Sequence, residues 1–528
     1  MESPSGHMRS IKLWPPSHST RLLLVDRIVK SFTTPSILSR KYGLLSKEEA
    51  EEEAKHIESA GFLAATEHFE NDPETDGGSA VQVYAKESSR LMVEFIKTAP
   101  KPKEDRETVP LEVIASSDHV FDISGGRRAF IEAEEAKELL KPLKEPGNKF
   151  TKICFSNRSF GLPAAHVAAS ILSGVKDRLT EVDLSDIVSR RPEPEAVEVM
   201  RMFSTALEGC KLECLNLSNN VLNEKGVRAF GDLLRSQGDL VELYLANAGI
   251  TPEAAKAVCV LIPSTSKLKV LHFHRNKTGD EGAIAISQLV KGSPDLEDFR
   301  CSSTRVGSVG GVALAEALKT CTRVRKLDLR DNMFGPKPGV ALSGNLTTYA
   351  NLIEIYLSHL NLENEGVIAI ANALKTSGST LEIIEMAGNN VTFEATKALA
   401  DCIVSKKHSL TKINLSENEL KDKGAIVIGK ALEDEFRQLC IVDLSANGIK
   451  TDGAMSLAKG VAGKLGFRLL NINRNLLSYN GIEGVREIFK SCPRMLGPLD
   501  ENDPHGEDGG DRSNELESKL KDLEVKQN

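Results

Sequence analysis

From Phe150 onward the chain repeats one eleven-residue template, L-x-x-L-x-L-x-x-N-x-L, and no other feature restricts its fold so tightly. The templates begin at Phe150, Leu179, Leu212, Leu240, Leu268, Leu296, Val324, Leu352, Leu381, Leu410, Leu439 and Phe467. Ten of the eleven intervals are 28 or 29 residues, and the one after the second template is 33. A fixed period means that each unit stacks on the next and none buries its apolar face alone. The stacking does not call for extra residues after the second template. That stretch, Leu184 to Pro192 with Arg190 and Arg191 on it, is therefore the first place to look for function.

Template positions four and six, such as Leu215 and Leu217 or Leu327 and Leu329, point into the core from a short strand. The ninth position is asparagine in seven repeats: Asn220, Asn276, Asn332, Asn389, Asn418, Asn447 and Asn475. Its amide can bridge the turning backbones of neighbouring repeats, which would otherwise hold orphaned polar groups. Fourteen residues after the template start stands a small residue, glycine in seven repeats (Gly226 is the first), so that a return helix can lie close to the strand. The expected fold is α/β, a leucine-rich-repeat solenoid of the long ribonuclease-inhibitor-like type with about twelve repeats. Strands should line the concave face and helices the convex one.

The chain has 528 residues, too many for one core but suited to a solenoid plus a small domain. Its formal charge of −8 and its 5% aromatic content argue against nucleic acid as the main partner. Nine cysteines, none in a Cys-x-x-Cys pair and several at core positions such as Cys301, read as free thiols in a reducing compartment. The first ten residues lack an apolar h-region and no run approaches a membrane span, so an intracellular, soluble protein without direct membrane insertion is expected.

Residues 1–99 read as a separate helical module. Leu23, Ile28 and Phe32 give a helical pattern over Thr20 to Phe32, Thr34-Pro35 opens a second helix at Ile37-Leu38, and Ser46-Lys47-Glu48-Glu49 is a capping box for a third through Ile57. A last amphipathic helix, Tyr84 to Ile96, turns Leu91, Met92 and Phe95 inward. Residues 100–118 are a charged, proline-bearing linker. Residues 119–149, with a helix from Arg128 to Leu143, are placed to cap the solenoid of 150–493. Residues 494–528 form an acidic tail expected to be disordered, with ten Asp/Glu against four Lys/Arg from Asp500 on.

Trp14-Pro15-Pro16, followed by Ser36-Ile37-Leu38-Ser39-Arg40-Lys41-Tyr42-Gly43, resembles the WPP domain of plant nuclear-envelope proteins. That resemblance implies docking of Trp14, Pro15 and Pro16 to coiled-coil anchors at the nuclear rim; the bland alternative is a tryptophan that covers the bundle. Leu184 to Pro192, together with Leu243-Tyr244-Leu245-Ala246-Asn247-Ala248-Gly249, resembles the matching repeats of Ran GTPase-activating proteins, and a WPP domain ahead of them resembles the plant branch.

The family resemblance implies stimulation of GTP hydrolysis on Ran, in the cytoplasm and at the outer nuclear envelope, with redistribution in division. It gives Arg191 the role of the essential loop arginine and Asn247 that of the contact to the switch region. GTP and Mg²⁺ would come with Ran, so no cofactor and no metal site is expected. Arg190 stands where glycine is common in the family, and the acidic tail is thinner than the family's. The eighth template position reads Asp186, Asn219, Asn247, Arg275 along consecutive repeats, a polar ridge that Arg190 and Arg191 should overhang and that adds candidate partner contacts. A different class of reading is a non-catalytic scaffold that only grips partners, its WPP domain recruiting signalling or immune receptors.

Three motifs mimic chemistry. Gly424 to Ala431 nearly matches a phosphate-binding loop but has Ala431 where Ser/Thr would hold magnesium, and it falls where a helix should open. His272-Phe273-His274 has no third ligand at metal spacing and reads as surface polar groups. Asn276-Lys277-Thr278 matches a glycosylation acceptor on a ladder asparagine.

Overall fold

A computed structural model describes residues 14–33, 47–71, 77–98, 119–125 and 128–506. The chain divides into two compact units, Met1–Val109 and Pro110–Asn528.

Three helices are described in the first unit: His18–Thr33, Lys47–Asn71 and Gly78–Thr98. Val25, Ile28 and Phe32, one stripe at helical spacing, pack on Ala50, Ala54 and Ile57, with Leu91 and Met92 against them. The helix expected to end at Ile57 runs on to Asn71 because Ala65 continues its apolar face into a second cluster with Ala80, Tyr84 and Trp14. Trp14 stacks on Phe62 at 5.2 Å and meets the edge of Tyr84 at 5.6 Å. The Arg21 guanidinium lies over the other aromatic partner, 3.7 Å from the Phe62 centroid, and grips Glu58 at 2.7 and 2.9 Å. The Thr34-Pro35 helix start, Ser36 to Gly43, Ser46, the Phe95 side chain and the linker fall outside the described residues.

The second unit holds a thirteen-stranded, wholly parallel sheet. Twelve of its strands are those of the twelve templates; the first, Val120–Asp122, comes from the cap and pairs with Lys152–Cys154. Each strand is three residues long, and registers such as Glu181↔Cys214 and Val182↔Leu215 carry every template position over to the next repeat. Side chains at positions four and six are buried: Leu215, Leu327 and Leu329 are 0 to 2% exposed. All seven ladder asparagines are buried as well. Asn276 shows their work: its Oδ1 accepts from the amides of Ala248 and Ile250, and its Nδ2 donates to the carbonyls of Leu245 and Phe273. In the first repeat Arg158 takes the asparagine's place and reaches the Ile123 and Gly125 carbonyls of the cap. A Cβ on Gly226 would lie 2.3 Å from the Val221 carbonyl oxygen, so the small residue there is a steric need.

Both ends differ from the expectation. Arg128 does not open a helix. Ala129–Ile131 is a strand, paired in parallel with Arg158–Phe160 in a separate two-stranded sheet, and the helix begins only at Ala133. At the other end the solenoid continues beyond Pro493. Leu496 bridges to Leu470, Leu499 is buried, and Asn502 accepts from the Asn475 amide as a further ladder asparagine, so the repeat pattern reaches at least Asn502. Residues 507–528 lie outside the described residues.

Candidate functional site

The irregular second repeat spends its additional residues unevenly. Its strand-to-helix loop, 184–192, has nine residues against six or seven in the ten repeats that follow, whereas its helix, Glu193–Ala206, has 14 residues, against 10 in Pro252–Leu261 and 14 in Glu363–Thr376. The loop is therefore longer than that of any later repeat, while a helix of this length occurs in another repeat without an insertion. The loop is pinned from beneath. Ile187 N donates to Asn220 Oδ1 at 3.0 Å, Phe160 N to the Ile187 carbonyl at 2.9 Å, and Ser159 Oγ to the Ser189 carbonyl at 2.7 Å. A tight turn closes it, with Arg191 N donating to the Val188 carbonyl at 3.2 Å. Arg190 occupies the third place of that turn at φ 60°, a left-handed conformation that favours glycine.

The two arginines part company. Arg190 is exposed at the tip. Arg191 does not overhang the ridge: its side chain is only 13% exposed and lies against the first repeat and the cap. Its Nη2 donates to the Ser159 carbonyl at 2.9 Å, Nε to Ser159 Oγ at 3.3 Å, and the terminal nitrogens sit 3.4 Å from Glu132 and 3.5 Å from Glu195. The ring of Phe130 lies 5.1 Å from its guanidinium carbon. Beside it, a Cβ on Gly161 would come within 3.1 Å of Nη1.

The ridge itself is a row of bent corners. All twelve eighth-position residues, from Asn157 to Arg474, have positive φ between 49° and 61°. Their amides donate across repeats: Asn219 N to the Ala246 carbonyl, Asn247 N to that of His274, Arg275 N to that of Ser302. Asn219, Asn247 and Arg275 are exposed, and Asn247 Nδ2 donates to Asn219 Oδ1 at 2.9 Å. Asp186 is different: it is 3% exposed, with Arg128 Nε donating to its carboxylate at 2.5 Å, so it is not available on the surface of the ridge.

The WPP domain family model matches residues 10–106, and a leucine-rich-repeat model matches 210–231 and 406–429. RAN GTPase-activating protein 1 of Arabidopsis thaliana is 60% identical over 534 residues, covering 100% of this chain and 98% of its own. This chain belongs to the Ran GTPase-activating protein family. RAN GTPase-activating protein 2 of the same plant is 56% identical over 99% of this chain. MFP1 attachment factor 1 of Solanum lycopersicum is 36% identical over 24% of this chain, which is 84% of that relative.

Within this Ran GTPase-activating protein family member, the structure corrects three placements besides Asp186 and Arg191. Trp14 is 4% exposed, so it fastens the helical unit internally; Pro15 is exposed and Pro16 half-buried. His272 is buried and His274 half-buried, because template positions five and seven face neighbouring side chains along the sheet: His272 Nε2 lies 3.2 Å from Asp298, and Tyr244 meets its ring at 4.9 Å. Gly424 to Ala431 falls inside the helix Lys421–Leu432, and all nine cysteines are unpaired. Sequence reasoning missed Arg128, Phe130, Glu132, Ser159 and Gly161. The signal was the apolar pair Phe130-Ile131 ahead of an acidic, helix-prone run, a strand-like step that the helical reading absorbed.

Proposed function

We propose that this protein stimulates GTP hydrolysis on Ran and thereby keeps Ran-GTP low in the cytoplasm. Asn219, Asn247 and Arg275 form the ridge that receives the GTPase, with Arg190 beside them. Family membership along the whole chain supports the reading. The observation that carries it is the coincidence of the only aperiodic loop with an exposed, hydrogen-bonded Asn219–Asn247 pair on the next two repeats. Asn247 is the residue for the switch region. Its amide is held by Asn219 and its backbone by His274, so it meets a partner already ordered, which lowers the entropic cost of docking.

GTP and Mg²⁺ arrive with Ran. Arg191 is the residue through which the loop acts on the hydrolysis step, from the pocket where Ser159, Glu132 and Glu195 hold it. The WPP domain tethers the protein to coiled-coil anchors at the outer nuclear envelope, a role supported by its likeness to the tomato attachment factor.

Single-turnover hydrolysis of Ran-bound GTP tests this. Wild-type protein is expected to accelerate hydrolysis. Asn247→Ala should cost about tenfold to a hundredfold in kcat/KM, the worth of one hydrogen bond to a charged or strongly polarised partner. Absence of stimulation by wild-type protein overturns the reading and leaves a gripping scaffold.

A further inference from the structure

We propose that the N-terminal cap is part of the functional site, and that Glu132 and Phe130 are positioning residues that fix Arg191 and, through it, the loop bearing Arg190. The inference rests on the GTPase-activating reading given above. Its starting point is the separate two-stranded sheet. Among the described residues, only at the junction of cap and first repeat does a second ladder run beside the thirteen-stranded sheet. That ladder lies directly under the loop, through Phe160 to Ile187 and Ser159 to Ser189.

Along the strand Ala129–Ile131, side chains alternate between faces. Ile131 goes to the core at 0% exposure. The residues on the alternate positions all meet the second repeat: Arg128 pairs with Asp186, Phe130 lies against the Arg191 guanidinium, and Glu132 faces Arg191 Nη2. Three consecutive side chains of one face thus converge on one loop.

Exposure separates positioning from stability. Glu132 is 65% and Phe130 47% exposed, so neither fills the core. An exposed carboxylate 3.4 Å from a guanidinium adds little to folding. The Arg191 side chain, by contrast, is 13% exposed, and its guanidinium takes its plane from these neighbours: the Phe130 ring on one side, the Ser159 carbonyl at its edge, and Gly161 leaving the room. A planar donor held on a ring and a carboxylate has one orientation. A mere solenoid cap needs a polar outer face, and an exposed phenylalanine aimed at an arginine does not serve that need.

Full-length Glu132→Gln and Phe130→Ala proteins, assayed with Ran-GTP over a range of protein concentration, test the proposal. Each is expected to lower the saturating hydrolysis rate by about tenfold, the coupling typical of groups in one contact cluster, with the half-saturating concentration changed by less than about twofold and an unaltered melting curve. In an Arg191→Lys background, which keeps the charge and loses the planar fork, Glu132→Gln should cost almost nothing more. Glu132→Asp should restore part of the rate. Wild-type rates from both variants overturn the proposal and leave the GTPase-activating reading intact. So does a faster rate, which would mean that Glu132 restrains Arg191, or additive losses with Arg191→Lys. A wild-type protein without stimulation removes the parent reading, and this inference with it.

Discussion

Arg190 sets its backbone against its side chain, and Arg190→Gly separates the two. At φ 60° a residue with a Cβ pays about 1–2 kcal/mol in the left-handed region. Glycine escapes that cost but loses about 0.5–1 kcal/mol through the greater freedom of its unfolded chain. The net expectation is that Arg190→Gly stabilises the loop by about 0.5–1 kcal/mol relative to Arg190→Ala, which keeps the strain and removes the same charge. Arg190 is exposed at the tip, and its turn stays closed in both variants by Arg191 N donating to the Val188 carbonyl. Amide exchange at Arg191 reads the local opening equilibrium, and 0.5–1 kcal/mol corresponds to about two- to fivefold slower exchange in the glycine variant. Both variants lose any contact that the Arg190 charge makes with Ran, so glycine should also match or exceed alanine in GTPase activation. Faster exchange at Arg191 in Arg190→Gly than in Arg190→Ala would refute the reasoning.

Two further outcomes follow from buried polar groups. Asn220→Ala leaves the Ile187 amide and the Leu184 and Leu217 carbonyls without partners at a site 4% exposed, which should cost about 3 kcal/mol in urea unfolding, about 1 kcal/mol per orphaned group, and lower activation through Ile187. The exposed neighbour change Asn219→Ala should stay within about 0.5 kcal/mol. Acid should also act through Asp298: burial pushes its carboxyl up, but His272 at 3.2 Å and the hydrogen-bonded Arg300 outweigh that and hold it at about 2, below an ordinary 3.8. A lowered folded value gives stability that is present above about pH 4 and disappears as pH falls toward 2, worth about 2 kcal/mol. His274, which burial and then His272 and Arg300 push below 6.5, adds a loss that starts on acidification below that value, because the unfolded chain takes up the proton first. Urea midpoints measured from pH 7 to 3 should fall less steeply in Asp298→Asn.

The repeat register was legible because apolar residues at positions four and six in every repeat, and asparagine at nine in seven of them, answer to local rules. The cap strand was not. Ala129–Ile131 is only three residues long and acquires its conformation from Arg158–Phe160, a partner one repeat away. Asp186 and Arg191 were hidden for a related reason: their burial depends on Arg128, Phe130 and Glu132, which stand about sixty positions earlier in the chain. Trp14 belongs to the same class, since Phe62 and Tyr84 that enclose it are distant in sequence. The aperiodic interval marked the right repeat and its longer loop, but not that the loop turns Arg191 back onto the cap.

The twelve positive-φ corners carry a consequence for how such an edge can change. β-Branched side chains are strained in that conformation, and Asn, Asp, Arg, Ser, His, Gly, Glu and Ala, but no Val, Ile or Thr, occupy the corners here. Charge and hydrogen-bonding character can therefore be exchanged from corner to corner while the backbone track stays in place. Partner preference is written on a rail whose spacing the interior of the solenoid has already set.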